Sequence, residues 1–293
     1  MAVEKGRIGF VGLGIMGTAM TLRLLEQGWP VTVWNLEAER VPPLVAAGAV
    51  AAQSPRDVAQ ASDIVIMCVL HTDAVRDCVF GPQGIAAAAG PAKILVDHST
   101  IDPAATREMA QQLRTKSGMR WIDAPVSGGP VQSRAGTLTV MAGGDAADIE
   151  AIRTVMADLA ANFTRIGPVG AGQTAKMINQ LIVGSGYVVL AEALTLAEAA
   201  GVDARQLPQC LAGGHADSSL LKHLYPQMQA RDFEPPRSYA RQLLKDLKAV
   251  TAYAHELELS LPMLEAATRR YTDYVEQGNG MKDTASIVNS YQP

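Results

Sequence analysis

Near the start of the chain a short apolar stretch, Ile8-Gly-Phe-Val11, runs straight into Gly12-Leu13-Gly14-Ile15-Met16-Gly17. A helical pattern follows, with Met16, Ala19, Met20, Leu22, Leu24 and Leu25 mostly on one face. Strand, Gly-x-Gly-x-x-Gly and helix, in that order, make a dinucleotide-binding turn. The first glycine permits the tight turn, the second lets a pyrophosphate reach the backbone, and the third lets the helix press on the strand. The free N–H groups and positive dipole end of the helix then receive the diphosphate. A glycine-rich turn without ligand is the plainer alternative. Context favours the binding reading, because Gln27-Gly28 stops the helix and a second strand, Val31-Thr-Val-Trp-Asn35, completes a βαβ unit.

The alternation continues. Pro42 to Ala47 reads as a short helix closed by Gly48, and Ser54-Pro55 opens another, with Ser as N-cap and Pro at the first helical position. Asp63 to Leu70 and Lys93 to Asp97 are near-continuous apolar runs, the mark of parallel strands buried on both faces. Asp102-Pro103 opens a helix through Leu113. Met119 to Asp123 reads as a strand, Thr137 to Ala142 as a strand with one exposed face, Asp148 to Leu159 as a helix, and Asn162 to Ile166 as the last strand. These elements predict an α/β, doubly wound Rossmann domain over residues 1–167, with a few antiparallel strands at one edge.

Beyond about Gly170 the strand signals stop. Gly172 to Ala200 contains no proline and reads as one long interdomain helix within 168–200, stopped by Gly201. Asp203 to Leu211, Ser218 to Met228, Tyr239 to Leu257 and Pro262 to Glu276 read as helices of an all-α C-terminal domain, 201–293. In such folds ligands bind beyond the strand carboxyl ends, so the expected site is a cleft between the halves.

Composition narrows the function. Of 293 residues, 18% are charged and the net charge is −4, which lacks the basic face of a nucleic-acid binder. Cys68, Cys78 and Cys210 are odd in number and scattered, so neither disulfides nor a metal site is expected. The opening Met1-Ala-Val-Glu-Lys-Gly shows no apolar leader core. The uncharged run from Met177 to Ala191 reads as too short and too polar for a membrane span. The expectation is a soluble, cytoplasmic protein.

Chemistry-bearing residues concentrate at the junction. Lys176, Asn179 and Gln180 stand at i, i+3 and i+4 on the long helix and share a face of an otherwise apolar segment. A lysine there is costly to bury without a partner or a task. Partial burial would move its pKa down towards the range of general acid–base work, or the side chain would snorkel to the surface. Asp123-Ala-Pro-Val-Ser127-Gly128-Gly129-Pro130 offers a hydroxyl and open backbone N–H groups suited to a carboxylate, or is an ordinary Gly-Pro turn. Lys245-Asp246 taken singly reads as a solvated pair, and His98 as structural.

Together these stretches resemble one family. Gly12 to Gly17, Asp123 to Gly129, Gly136-Thr-Leu with Met141-Ala-Gly-Gly144, Gly172-Gln-Thr-Ala-Lys176-Met-Ile-Asn-Gln180 and Lys245-Asp-Leu247 stand in the order of the β-hydroxyacid dehydrogenases, which include 3-hydroxyisobutyrate dehydrogenases and tartronate semialdehyde reductases. Gly278 to Asp283 resembles the family's closing segment. The resemblance implies an NAD(P)-dependent oxidoreductase of small β-hydroxy acids of the 3-hydroxyisobutyrate, glycerate, serine or threonate type. It implies Lys176 as the catalytic acid–base, Ser127, Gly128 and Gly129 as the substrate-carboxylate turn, and Asn179 and Gln180 as substrate-positioning amides. The whole turn from Gly12 through Leu13, Gly14, Ile15 and Met16 to Gly17 would hold the cofactor. Leu70 would stand near its adenosine side, Thr100 near the nicotinamide ribose, and Lys245 would reach cofactor and substrate.

Three departures accompany the likeness. Asn35 stands where an acid would bond the adenosine ribose and favour NAD, Leu36 replaces the arginine frequent in NADP users, and Arg40 follows; NAD and NADP both stay open. Gln132-Ser133-Arg134 departs from the small and acidic residues common after Ser-Gly-Gly, so Ser133 or Arg134 is expected to select a polar substrate tail. Phe233 to Ser238 is less regular than the family's equivalent. Imine reductases share the architecture with another acid, such as aspartate, in place of Lys176, and a nucleotide-binding scaffold would normally lack the lysine. Oxidation followed by decarboxylation is compatible with the sequence. By analogy the chain is expected to form a homodimer or homotetramer.

Overall fold

The structure is a computed structural model and describes residues 5–291. Met1–Glu4, most of the opening stretch read for a leader, lie outside the described residues, as do Gln292 and Pro293. The chain forms two units, Met1–Lys176 and Met177–Pro293.

The strands of the first unit are β1 (Ile8–Val11), β2 (Val31–Trp34), β3 (Val50–Ala51), β4 (Ile64–Met67), β5 (Ile94–Asp97), β6 (Arg120–Asp123), β7 (Val126–Ser127), β8 (Leu138–Gly143) and β9 (Ala160–Gly167). Its helices are α1 (Ile15–Glu26), α2 (Pro42–Ala46), α3 (Pro55–Ala61), α4 (Thr72–Phe80), α5 (Pro103–Ser117), α6 (Gly129–Ala135), α7 (Ala146–Ala151) and α8 (Arg153–Leu159). The sheet runs β3-β2-β1-β4-β5-β6 in parallel, the doubly wound order. β8 then pairs antiparallel with β6 and β7, while β9 lies parallel to β8 rather than extending the antiparallel edge.

The apolar runs are explained by two cores, one on each face. Alternation sends Ile8, Phe10, Ile66, Ile94, Val96 and Ile122 to the face covered by α1 and α8. Val11, Val65, Met67, Leu95 and Trp121 go to the face covered by α3, α4 and α5. A strand buried on both sides therefore carries hydrophobes at every position, not every second one.

Several boundaries differ from expectation. The stretch read as one helix from Asp148 is two, α7 and α8, broken at Ile152. β3, α4 and β7 were not expected; the two strands are only two residues long and gain their hydrogen bonds from neighbours distant in sequence. Ser54 caps α3 by accepting from Asp57 N at 3.2 Å.

The long helix is α9 (Ala171–Ala199). Its 29 residues are long and apolar enough to cross a membrane by length and composition, beyond the shorter run noted in the sequence. In the second unit, however, Met177, Ala191, Leu194 and Ala197 join a core with residues of α11 (Ser219–Ala230), α12 (Ala240–Glu256) and α13 (Pro262–Tyr274). α10 (Leu207–Cys210) is a single turn after a 3₁₀ turn at Ala204–Gln206, so the helix expected from Asp203 to Leu211 is shorter and less regular. The closing segment is anchored by buried Asp283, which accepts from Arg237 N at 2.7 Å and Ala285 N at 2.8 Å. That contact also pins the irregular Phe233–Ser238 stretch.

Candidate functional site

The glycine turn has the shape its sequence calls for. Gly12 has φ +95°, and a Cβ there would lie 2.3 Å from Cys68 O. A Cβ on Gly17 would lie 2.0 Å from Gly12 O, so helix and strand touch at that point. Gly14 is the opposite case: nothing stands within 4 Å of its would-be Cβ, and it begins α1 without a side-chain cap. The result is an open cradle at a helix N-terminus, which fits a dinucleotide's diphosphate. Ile15 is exposed and Met16 half-buried beside this opening, whereas Leu13 is fully buried.

The other candidate cofactor residues of the first unit follow the carboxyl ends of the parallel strands. Asn35 follows β2, Leu70 follows β4 and Thr100 follows β5. Two of these loops are tied, since Val69 N donates to Ser99 Oγ at 2.9 Å. Asn35 is buried and accepts at Oδ1 from Leu13 N at 2.7 Å, so it braces the glycine turn.

Lys176 is placed by contacts the sequence reading missed. Asp123, at the end of β6, accepts from Gly170 N at 2.7 Å and Gln173 N at 2.9 Å and so clamps the start of α9. A Cβ on Gly172 would lie 2.5 Å from Asp123 O and Met141 O, which is why the helix can seat there. The fully buried Gln173 accepts from Ile101 N at 3.1 Å and donates to Ser99 O at 2.8 Å, joining α9 to the loop that carries Thr100. One turn on, Lys176 is 8% exposed, and its Nζ donates to Val126 O at 2.8 Å. The snorkelling alternative does not hold for this lysine. Both Asp123 and Gln173 stand within the motifs quoted above; their composition gave no hint of the contacts.

Burial governs the charges around this clamp. It pushes the Asp123 carboxyl up to about 6, against the pull of the N–H groups of Gly170 and Gln173. Asp97 is pushed up to about 7 by burial, opposed by its bonds from Ser99. His98 is pushed down to about 4 by burial, and its Nδ1 lies 2.6 Å from Ala124 O, so it is a neutral structural donor.

Ser127 ends β7, and Gly128 (φ +135°) and Gly129 (φ +78°) lead into α6, which starts without a side-chain cap. The Ser-Gly-Gly turn is thus the entrance to a helix, not an isolated loop. The two residues beyond it have partners within the first unit. Ser133 is fully buried, with its hydroxyl donating to Gly129 O at 2.9 Å and lying 3.6 Å from Met16 Sδ. Arg134 forms a two-pronged ion pair with Glu26 of α1. Both side chains thus contribute to the contact of α6 with α1, Ser133 through Met16 and Arg134 through Glu26.

In the second unit, Asn179 is half-buried and Gln180 buried. Gln180 Nε2 donates to Asp246 Oδ2 at 2.7 Å, and Lys245 Nζ lies 2.9 Å from Asp246 Oδ1. The Asp246 side chain is only 14% exposed, so Lys245-Asp246 is not the solvated pair its sequence suggests. Among the described residues, no group of three His, Cys, Asp or Glu could hold a metal.

Residues 7–167 match the family model described as the NAD binding domain of 6-phosphogluconate dehydrogenase. Residues 170–291 match that described as the NAD-binding domain of NADP-dependent 3-hydroxyisobutyrate dehydrogenase. The 2-hydroxy-3-oxopropionate reductase of Escherichia coli K12 is 35% identical over 98% of this chain and 97% of its own length. The crystal structure of 3-hydroxyisobutyrate dehydrogenase from Salmonella typhimurium aligns with TM-score 0.87 at 30% identity, covering 98% of this chain and all of that one. The Mycobacterium tuberculosis 3-hydroxyisobutyrate dehydrogenase structure with L-serine aligns with TM-score 0.89 at 26% identity, covering 99% of this chain and 100% of that one.

Proposed function

The chain belongs to the β-hydroxyacid dehydrogenase family of NAD(P)-dependent oxidoreductases acting on small β-hydroxy acids, and on that premise we propose that Lys176 is its general acid–base. The supporting observation is the placement of a nearly buried lysine, held by Val126 O, beside the Ser127-Gly128-Gly129 turn. Nicotinamide, when bound, supplies the hydride chemistry. Lys176 Nζ takes the substrate hydroxyl proton during oxidation and returns a proton to the oxygen during reduction. The Val126 carbonyl accepts one N–H and so restricts where the nitrogen points. The Ser127 hydroxyl and the backbone N–H groups of Gly128 and Gly129 hold the substrate carboxylate. Gly12 to Gly17 seat the diphosphate, with Leu70 and Thr100 bordering the nucleotide. The roles of Asn179 and Gln180 as substrate amides, and of Lys245 towards cofactor and substrate, rest on the family resemblance.

The substrate is a small polar β-hydroxy acid of the glycerate, 3-hydroxyisobutyrate, serine or threonate type. The E. coli relative's name and the L-serine in the M. tuberculosis structure support that range. The protein acts as a soluble cytoplasmic enzyme without nucleic-acid or membrane partners, and as a homodimer or homotetramer. Self-association is supported by the exposed Ile178, Ile182, Val189 and Leu196, which fall on a single stripe of α9.

Initial rates with NAD and NADP against 3-hydroxyisobutyrate, glycerate, serine, threonate, 3-hydroxypropionate and 4-hydroxybutyrate test this, with Lys176→Ala alongside. Turnover of at least one acid, lost by orders of magnitude in the variant, is expected. Cofactor binding without turnover of any acid overturns the substrate assignment and turns attention to imines.

A further inference from the structure

Asn35 has both ends of its amide engaged. Oδ1 accepts from Leu13 N at 2.7 Å, while Nδ2 donates to Glu37 O at 3.0 Å and to Glu37 Oε2 at 2.8 Å. The orientation is unambiguous, because a backbone N–H demands the oxygen and two acceptors demand the NH₂. The donor that an asparagine would present to a 2′-phosphate is therefore already used, and what stands there instead is a carboxylate. Glu37 lies three residues past the end of β2, close to where an acid bonds ribose hydroxyls in a dinucleotide fold. Its neighbours Asn35, Leu36 and Ala38 line an open, largely apolar hollow of about 830 Å³, with Trp34, Val41 and Ala52 among the other walls. A hollow of this lining suits an adenine ring, with the ribose at the Asn35–Glu37 rim.

We propose that Glu37, steered by Asn35, is the residue that sets cofactor choice, accepting from the free adenosine ribose hydroxyls of NAD and repelling the 2′-phosphate of NADP. Asn35 thus acts as a positioning residue, and the acid missing from its own position is restored two residues on. The competing cation is Arg40, at the end of the 3₁₀ turn Ala38–Arg40. For that choice to hold, repulsion from Glu37 must outweigh any attraction from Arg40, which the Arg40→Ala variant below reads directly.

The test is isothermal titration calorimetry of the full chain with ADP-ribose and with 2′-phospho-ADP-ribose, which isolates the adenosine end from turnover. Wild type is expected to bind ADP-ribose on the order of tenfold or more tightly, about 1.4 kcal/mol, with the ratio shrinking as ionic strength rises. Glu37→Gln keeps an acceptor for Asn35 Nδ2 and is expected to bring the two ligands within about threefold, chiefly by tightening the phosphorylated one. Arg40→Ala should leave the preference for ADP-ribose in place. Equal or tighter wild-type binding of the phosphorylated ligand overturns the proposal, as does an unchanged ratio in Glu37→Gln. Lys176→Ala should keep the wild-type ratio, so a failure of the acid–base assignment is visible separately from a failure of this one.

Discussion

Lys176 Nζ donates to the backbone carbonyl of Val126 at 2.8 Å, across fifty positions of sequence. That contact puts the lysine beside the residue that follows, Ser127, and gives a group proposed to move protons a neighbour proposed to hold the carboxylate. Its orientation depends on Asp123 and Gln173 clamping the helix one turn earlier.

Replacing Lys176 by alanine should lower kcat by about 10²–10⁴-fold, the usual worth of a positioned acid–base. The cofactor Kd should stay within about twofold, because the glycine cradle lies on other elements. Steady-state rates beside calorimetric titration of the cofactor check both halves. A variant retaining a tenth of wild-type kcat would remove Lys176 from the proton path.

Two glycine substitutions should fail in different ways. Gly17→Ala puts a carbon 2.0 Å from Gly12 O and 3.1 Å from the Phe10 ring, and should cost roughly 1–3 kcal/mol of stability by overpacking. Gly14→Ala meets nothing within 4 Å, so its melting temperature should hold while nucleotide affinity drops, since its methyl occupies the diphosphate's place. Thermal melts with and without cofactor separate the two. Normal nucleotide affinity in Gly14→Ala would contradict the cradle.

The buried Asp97 should leave a pH signature. Its carboxyl, raised by burial from an ordinary 3.8 to about 7, keeps its proton in the folded chain when the unfolded chain has lost it. Its contribution to stability is therefore full below about 3.8 and is lost as pH climbs through about 7. His98, lowered to about 4, works in reverse, contributing above about 6.5 and losing that contribution as pH falls towards 4. Asp97→Asn keeps the acceptor for Ser99 N and removes the Asp97 slope. Its stability relative to wild type should rise by up to about 1 kcal/mol per pH unit between pH 4 and 7. Urea unfolding of both proteins at pH 4.5, 5.5 and 6.5 measures this, and a constant difference would refute it.

Asp246→Ala should destabilise the second unit by about 1–3 kcal/mol, because it strands the buried amide of Gln180. Adding Gln180→Leu should recover part of that loss, since the two effects share one hydrogen bond. Denaturant midpoints of the single and double variants give the coupling. Strict additivity would mean that the bond carries no stability.

The architecture was legible because its causes are local or periodic. Glycines that only a tight strand–turn–helix can use, apolar runs too continuous for a one-sided sheet, and twenty-nine residues without proline each point to one backbone answer. The chain by itself thereby determined the nucleotide fold, the long helix and the motifs that carry Lys176, Ser127 and Lys245. Tertiary structure decided how individual side chains are spent. Ser133 and Arg134 look available in sequence, yet α6 packs on α1, burying one and pairing the other with Glu26. Asn35 looks like a ribose ligand, yet Leu13 N and Glu37 claim its amide. Gln173 stands in the long-helix motif without any sign of its partners, and its bonds reach Ile101 and Ser99 more than seventy positions away. A backbone pattern depends on neighbours a few residues off, whereas a hydrogen-bond partner depends on which strand ends meet at the sheet's carboxyl edge, and that is settled only when the whole sheet is assembled.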